Sequence, residues 1–196
     1  MKRHIYLYLI LLSFTKLLVA QIPASEKTAL QTVYNALNGP NWDSQNDANT
    51  ADDWDFSQPV TNAWYGVTIS NIAGQDHITK LELSSFNSPG QNNVIGTLPD
   101  EIGNFPMLTK LHIEYTDLTG TTLQPAIGNL ANLEQLYMSN CNLNGNIPNN
   151  FSNLTSLKLF RAYTNNFYFP LAAAIGGMTA LEHLSLDWNG FTAIPT

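Results

Sequence analysis

Apolar residues recur along the chain with a period much longer than that of a helix or a strand. Five segments share one pattern of leucine-type positions, and they begin at Ile78, Leu108, Leu133, Leu157 and Leu181. Successive segments start 30, 25, 24 and 24 residues apart. A fixed period in this range predicts a solenoid, in which each repeat forms one coil and contacts only its neighbours. The predicted repeat region is residues 78–196.

Each repeat contains a short strand with two apolar residues that are predicted to point inward. Stacked strands of this kind form one parallel sheet. The inward pairs are Leu81 and Leu83, Leu111 and Ile113, Leu136 and Met138, Phe160 and Ala162, and Leu184 and Leu186. A turn position follows each strand, and it holds Thr116, Cys141, Asn165 and Asn189. A side chain there can hydrogen-bond the backbone of adjacent coils, so Cys141 is predicted to be a buried structural residue rather than a nucleophile.

The segment before the repeats, residues 21–77, is predicted to cap the first coil. Its first element is an amphipathic helix from Ser25 to Leu37, with Ser25 as the N-cap. Asn38-Gly39-Pro40 ends that helix. A polar loop, a short strand ending at Ile72 and a turn over residues 73–76 complete the cap.

Aspartates cluster in the polar loop, over residues 43–55. A calcium-binding loop is one interpretation, although the spacing does not match that of an EF-hand. The other interpretation is a solvated loop that Trp42 and Trp54 attach to the core.

Residues 1–20 resemble a secretory signal peptide. Lys2 and Arg3 precede an apolar run from Ile5 to Leu12, and cleavage is predicted after Ala20. A membrane anchor is the alternative, but the run is shorter than the roughly 20 residues that a membrane span needs. The mature protein is therefore predicted to be secreted or at the cell surface, without a membrane span.

The net charge limits the classes of partner, and the cysteine content limits how the fold can be stabilised. The chain has 8 basic and 15 acidic residues, and removal of residues 1–20 takes away three of the basic ones. An acidic protein is a poor ligand for nucleic acids and anionic membranes. Cys141 is the single cysteine, so no disulfide within the chain can stabilise the fold.

The copy from Leu133 to Pro148, LEQLYMSNCNLNGNIP, resembles the plant-type leucine-rich repeat. The leading segment with Trp64-Tyr65-Gly66-Val67 resembles the amino-terminal cap of the same class. Plant caps carry cysteines around this motif, whereas Ala63 and Ile69 stand here, as in a bacterial version of the cap. The resemblance implies an α/β fold: a right-handed solenoid with its parallel sheet on the concave face and an N-terminal helical cap.

Polar residues between the inward leucines are predicted to face the concave side. Exposed Tyr, Trp and Arg are the residue types that dominate binding hot spots. The alternative is an ordinary solvated surface with cross-strand packing. The predicted binding residues are His112, Glu114, Tyr115, Tyr137, Arg161, Tyr163, His183, Asp187 and Trp188.

These residues predict binding rather than catalysis. His112 and Glu114 share one strand and His183 and Asp187 another, but no serine or cysteine in a nucleophile motif accompanies them. No cofactor or metal motif is present in the sequence. The predicted function is an extracellular protein-binding module of receptor-like, adhesive or inhibitor-like type. The alternative is a carbohydrate-binding surface protein that uses Tyr137, Tyr163 and Trp188.

The sequence stops directly after the fifth repeat, at Thr196. Terminal repeats normally carry a polar outer face. We therefore expect either further coils in a longer protein or self-association that covers the apolar core around Leu184 and Leu186.

Overall fold

The computed structural model describes residues 21–42, 54–84, 94–118, 120–168 and 172–191. The predicted signal peptide and most of the aspartate-rich segment lie outside this part of the chain. The predictions made for them stay predictions.

Short strands and single helical turns alternate along the described chain. Helix α1 spans Ala24–Ala36 and helix α2 spans Ala172–Ile175. Single turns of 3-10 helix span Gly39–Asn41, Asp100–Gly103, Pro125–Asn129 and Asn149–Asn153. The strands are β1 Val67–Ile72, β2 Gln75–Glu82, β3 Lys110–His112, β4 Gln135–Tyr137, β5 Asn144–Gly145, β6 Leu159–Arg161, β7 Asn166–Phe167 and β8 His183–Ser185.

Strands β2, β3, β4, β6 and β8 lie side by side and run parallel. The register keeps equivalent repeat positions in line: Leu81, Leu111, Leu136, Phe160 and Leu184 are consecutive partners. A leucine-rich repeat solenoid with a parallel sheet and an N-terminal helix is therefore confirmed.

The short strand predicted to end at Ile72 is present as β1, but its pairing with β2 was not predicted. Strand β1 pairs with β2 in antiparallel orientation, so the sheet is not parallel throughout. A two-residue turn joins the strands, and both Ala73 (φ 52°) and Gly74 (φ 89°) are left-handed, as tight hairpin turns require. The turn predicted over residues 73–76 is thus shorter, because β2 already begins at Gln75.

The predicted helix starts one residue earlier than expected and without the predicted cap. It begins at Ala24 after Pro23, and no side chain caps it, so the assignment of Ser25 as N-cap is wrong. Pro23 is the N-cap instead: its ring fixes its backbone angle, and its carbonyl accepts the first hydrogen bond of the helix from the N–H of Lys27 at 3.0 Å.

Glu26, in the first turn of α1, attaches the cap to the first coil. Its carboxylate is fully buried, accepts the backbone N–H of Ile78 at 2.8 Å and lies 2.6 Å from Nδ1 of His77. A buried carboxylate needs such partners to offset its lost hydration.

Tryptophans of the cap pack together. Trp54 is buried among Tyr34, Trp42, Phe56 and Trp64, with ring centroids 5.0–6.2 Å away. Its indole N–H donates to the carbonyl of Tyr65 at 2.9 Å. Trp54 therefore ties the end of the aspartate-rich segment to the core, as one of the two interpretations expected.

The inward pairs of the first four coils are fully buried, whereas the fifth pair is not. Leu184 is 39% exposed and Leu186 is half-buried, which agrees with the expectation that the apolar core around them is left uncovered. Strand β8 is the edge of the sheet among the described strands, and no described coil covers these leucines.

Candidate functional site

The turn positions after the strands form a hydrogen-bonded row that we call the turn ladder: Thr116, Cys141, Asn165 and Asn189. Oδ1 of Asn165 accepts from the backbone N–H groups of Cys141 and Leu143, both at 3.1 Å. Its Nδ2 donates to the carbonyl of Met138 at 2.8 Å. Asn189 repeats this arrangement one coil later and accepts from the N–H of Phe167 at 3.0 Å. The ladder fixes the turns, and with them the strands that carry the concave side chains.

Cys141 takes the ladder position of the third coil. Its thiol donates to the carbonyl of Ile113 at 3.0 Å and accepts from the hydroxyl of Thr116 at 3.3 Å. Burial raises the pKa of the Cys141 thiol to about 11. The residue is buried and protonated at neutral pH, which confirms its predicted burial and fits a structural role.

The residue just before each ladder position adopts a left-handed backbone. Tyr115, Asn140, Thr164 and Trp188 have φ between 52° and 56°. Such a conformation costs a residue with a side chain about 1–2 kcal/mol, so the surrounding structure must impose it. These residues were predicted as part of the concave strand surface, but they lie in the turn that follows the strands.

The concave face carries a compact group that we call the Tyr137 cluster: Lys110, His112, Tyr137 and Arg161. His112, Tyr137 and Arg161 are direct partners on β3, β4 and β6. The rings of His112 and Tyr137 have centroids 4.7 Å apart, and the guanidinium of Arg161 lies 5.4 Å from the centre of the Tyr137 ring. Nζ of Lys110 lies 5.5 Å from the same ring centre. Cations over an aromatic face hold it by electrostatic attraction to the ring quadrupole.

Two predicted binding residues, His112 of this cluster and its neighbour Glu114, are buried instead of lying on the surface. His112 is 9% exposed and Glu114 is 6% exposed. Nε2 of His112 lies 2.9 Å from Oε2 of Glu114. Burial alone would raise the pKa of Glu114, but the hydrogen bond with His112 and the neighbouring hydroxyl of Ser139 outweigh burial and hold the pKa below its usual value. The ionised carboxylate therefore orients His112 below the Tyr137 ring.

Tyr115 and Tyr163 form a second contact between coils. Their hydroxyl groups are 3.0 Å apart. The bond with Tyr115, with partial burial, raises the pKa of Tyr163 to about 12. Both rings are half-buried, so they offer edges and hydroxyls rather than open faces.

The remaining predicted residues lie in the coil of β8. His183 is exposed and lines, with Arg161, an open groove of about 410 Å³ over β6 and β8. Asp187 is exposed, and its carboxylate accepts a hydrogen bond from the hydroxyl of Ser185 at 3.0 Å. Trp188 lines a different groove, so the structure does not bring all of the predicted residues together.

Among the described residues, no cluster of His, Cys, Asp and Glu could hold a metal ion. Within the same part of the chain, no helix is long and apolar enough to cross a membrane. Sequence reasoning missed one residue that fixes the scaffold of the site, Glu26. A glutamate in a first helical turn normally indicates a favourable helix end, and the sequence contained no signal of its burial.

Comparison with known proteins agrees with this geometry. The family model described as Leucine Rich Repeat matches residues 132–154. Receptor-like protein 39 of Arabidopsis thaliana is 29% identical over 140 residues, which are 59% of this chain and 16% of that protein. Over this stretch the chain is similar to the leucine-rich repeats of a plant receptor-like protein. It spans less than a fifth of the length of this relative.

Solved structures show the same solenoid. The leucine-rich repeat ectodomain of the receptor kinase SOBIR1 from Arabidopsis thaliana superposes with a TM-score of 0.67 at 22% identity, over 88% of this chain and 84% of that one. The ectodomain of GASSHO1/SCHENGEN3 from Arabidopsis thaliana, solved in complex with CASPARIAN STRIP INTEGRITY FACTOR 2, gives a TM-score of 0.69 at 20% identity. That match covers 85% of this chain and 18% of the receptor chain. At these identities the likeness establishes the fold.

Proposed function

We propose that the protein is a secreted, non-catalytic binding module that holds a protein or peptide ligand on its concave face, centred on the Tyr137 cluster. One observation carries this proposal: an arginine and an aromatic ring lie against each other on neighbouring strands of an open sheet. Arg and Tyr are enriched in binding hot spots because they combine apolar contact area with directional hydrogen bonds. Relatives that are receptor ectodomains, one of them solved with a bound factor, support the same interpretation.

The charges of the cluster suggest which ligand groups it prefers. Lys110 is paired with Glu82, and this carboxylate also lies 4.0 Å from Nδ1 of His112. Arg161 is exposed, and it has no ion-pair partner among the described residues. A guanidinium in this state can bind a carboxylate through two parallel hydrogen bonds. We therefore expect the ligand to place an acidic side chain or a chain terminus over Arg161 and an apolar group on Tyr137.

The scaffold gives this surface a fixed shape. Residues 21–77 cap the solenoid in this proposal, and residues 78–196 carry the repeats. Secretion follows from cleavage after Ala20, which N-terminal sequencing of the protein exported by its native host would test. The hydrogen bond between Glu26 and the backbone N–H of Ile78 would then be kept, because both residues follow the cleavage point.

Affinity capture with the mature protein as bait tests the proposed function. Ligands are recovered from the culture medium of the native host and identified by mass spectrometry, and their affinity is then measured with purified components. We expect Arg161→Ala to weaken binding, and Arg161→Lys to restore only part of it, because lysine cannot make two parallel bonds. Asn149→Ala on the side opposite the sheet is the matched control. A ligand whose affinity responds to Asn149→Ala and not to Arg161→Ala would refute the assignment of the concave face.

A further inference from the structure

Trp188 is the most exposed large hydrophobic residue in the described chain, with 84% of its surface open to solvent. Its backbone is left-handed, with φ 55°, like the equivalent residues of the preceding coils. The turn is fixed from behind, since Nδ2 of Asn189 donates to the carbonyls of Ala162 and Leu186, both at 2.9 Å. A rigid turn therefore presents an uncovered indole to solvent.

The indole borders a groove of about 540 Å³ that is separate from the Tyr137 cluster. The lining contains no charged side chain and one aromatic ring. It consists of Asn142, Thr164, Asn165, Asn166, Trp188, Asn189 and Gly190. Thr164 and Asn166 are exposed, so their hydroxyl and carboxamide are open to a ligand. The nearby carboxylate of Asp187 is bonded to Ser185 and does not line the groove.

We propose that this groove, the Trp188 groove, is a binding site for a neutral, hexose-based polysaccharide. The face of an indole carries the negative part of the ring quadrupole, and it attracts the weakly positive C–H groups on the flat side of a sugar ring. Side-chain amides and a hydroxyl can exchange hydrogen bonds with sugar hydroxyls as both donors and acceptors. One sugar ring would lie on Trp188, with its hydroxyl groups directed at Thr164 and Asn166.

The lining favours a sugar over a protein as the occupant. A protein hot spot needs an aromatic anchor in a desolvated surface with other apolar groups around it. Here the indole is surrounded by amides, and the groove is open. The charge of the chain favours a neutral sugar over a uronate polymer, because 15 acidic residues face 8 basic ones. The proposal goes beyond the proposed protein-binding function, since the two surfaces share no residue.

Acrylamide quenching of tryptophan fluorescence tests occupancy directly. The chain has 4 tryptophans, and of these Trp54 and Trp64 are buried and Trp42 is half-buried. Quenching therefore reports mainly on Trp188. The probes are cellohexaose, laminarihexaose and mannohexaose, with polygalacturonate as the charged comparison. We expect at least one neutral hexaose at about 1–10 mM to lower the quenching constant of Trp188 by about twofold or more, and polygalacturonate to have no effect.

Variants locate the effect by affinity electrophoresis in gels that contain the matching polysaccharide. Trp188→Ala should abolish retardation, Trp188→Phe should keep part of it, and Thr164→Ala and Asn166→Ala should each weaken it about three- to tenfold. Tyr168→Ala is the control, because it removes another exposed aromatic, 55% open to solvent. Tyr137→Ala should leave retardation unchanged, which separates this proposal from the protein-binding one. Thermal unfolding of each variant verifies its fold.

Three outcomes would overturn the proposal. In the first, no neutral hexaose protects Trp188 at these concentrations. In the second, Thr164→Ala and Asn166→Ala both bind the sugar as tightly as the unaltered protein. In the third, the protein ligand captured through the concave face protects Trp188 and the sugars do not, which would make the groove part of the protein interface.

Discussion

Two rows of equivalent residues cross the same coils, a few positions apart, and they behave in opposite ways. The turn ladder is buried from Thr116 to Asn165 and half-buried at Asn189, and Asn165 satisfies backbone groups of its own coil and the preceding one. The row that contains His112, Tyr137 and Arg161 grows more exposed along the sheet, from a buried histidine to an exposed arginine. The ladder holds the coils together through buried hydrogen bonds, whereas the exposed end of the concave row, at Arg161, is open to a ligand. Stability and recognition are thereby assigned to different positions of one repeat.

The strongest test of this division is Asn165→Ala. The substitution removes an acceptor for two backbone N–H groups and a donor to two carbonyls, at 2.8–3.1 Å. Each buried group left without a partner costs about 1–3 kcal/mol, so we expect a loss of about 3–5 kcal/mol in the free energy of unfolding. Urea denaturation measures it, with the exposed neighbour Asn166→Ala as control. Equal losses in the two variants would contradict the role of the ladder.

The next effect is a loss of stability at high pH. The pKa of Cys141 is about 11 in the folded protein, above its unfolded value of 9.0. As the pH rises, the thiol therefore loses its proton in the unfolded chain before it does so in the folded protein. The stability that the protonated thiol contributes is complete below pH 9 and is lost as the pH rises towards 11. At 1.36 kcal/mol per pKa unit, this amounts to about 2–3 kcal/mol.

Urea denaturation from neutral to alkaline pH measures that loss. Other groups also titrate there, so the comparison is with Cys141→Ala, which we expect to show a shallower decline. Native Cys141 should also react slowly with a thiol reagent at neutral pH. Parallel pH profiles for the two proteins, or rapid labelling without unfolding, would show that the thiol is not held in the ladder.

Substitutions in the concave row should lower ligand affinity instead of stability. Tyr137→Ala removes the ring between His112 and Arg161, and we expect ligand affinity to fall by about 1–3 kcal/mol. The melting temperature should change little, because the ring is only half-buried. Titration calorimetry and thermal unfolding are measured on the same preparation, beside Asn149→Ala. A large drop in melting temperature with unchanged affinity would show that Tyr137 stabilises the fold and does not bind the ligand.

The smallest expected effect is that of Tyr163→Phe. It removes one hydroxyl bond of 3.0 Å to Tyr115 and leaves both rings in place. We expect a change of less than about 1 kcal/mol in both stability and affinity. Tyr115→Phe should give the same result, because both variants break the same bond. A much larger loss in either one would mean that this pair acts in recognition.

The repeat period was sufficient to predict the solenoid, the sheet register and the ladder. Those features depend on local sequence, because each coil contacts only its neighbours. The exposure of the concave residues could not be predicted in the same way. His112 and Glu114 have the spacing of surface positions, and only the neighbouring Tyr137, Arg161 and Ser139 show that they are covered. Trp188 lies in a turn outside strand β8 because its backbone is left-handed, and no glycine at position 188 marks that turn in the sequence.

Glu26 and strand β1 illustrate a second limit. Glu26 contacts residue 78, which lies far along the chain. Strand β1 runs antiparallel to β2, against the direction of the repeat strands. A periodic pattern carries no information about the segment that precedes it. The cap was therefore predicted as a region but not as a set of contacts.

The constant register of the sheet has a consequence for how such a protein can evolve. Leu111, Leu136 and Phe160 are consecutive partners, so deleting one 24-residue coil, from Leu133 to Ser156, would bring Leu111 and Phe160 into the same pairing. Duplication of that stretch would extend the sheet by one strand without shifting any other. Gene segments of one coil are thus interchangeable units, and the length of the concave surface can change by unequal crossing-over while its curvature and its cap are inherited intact.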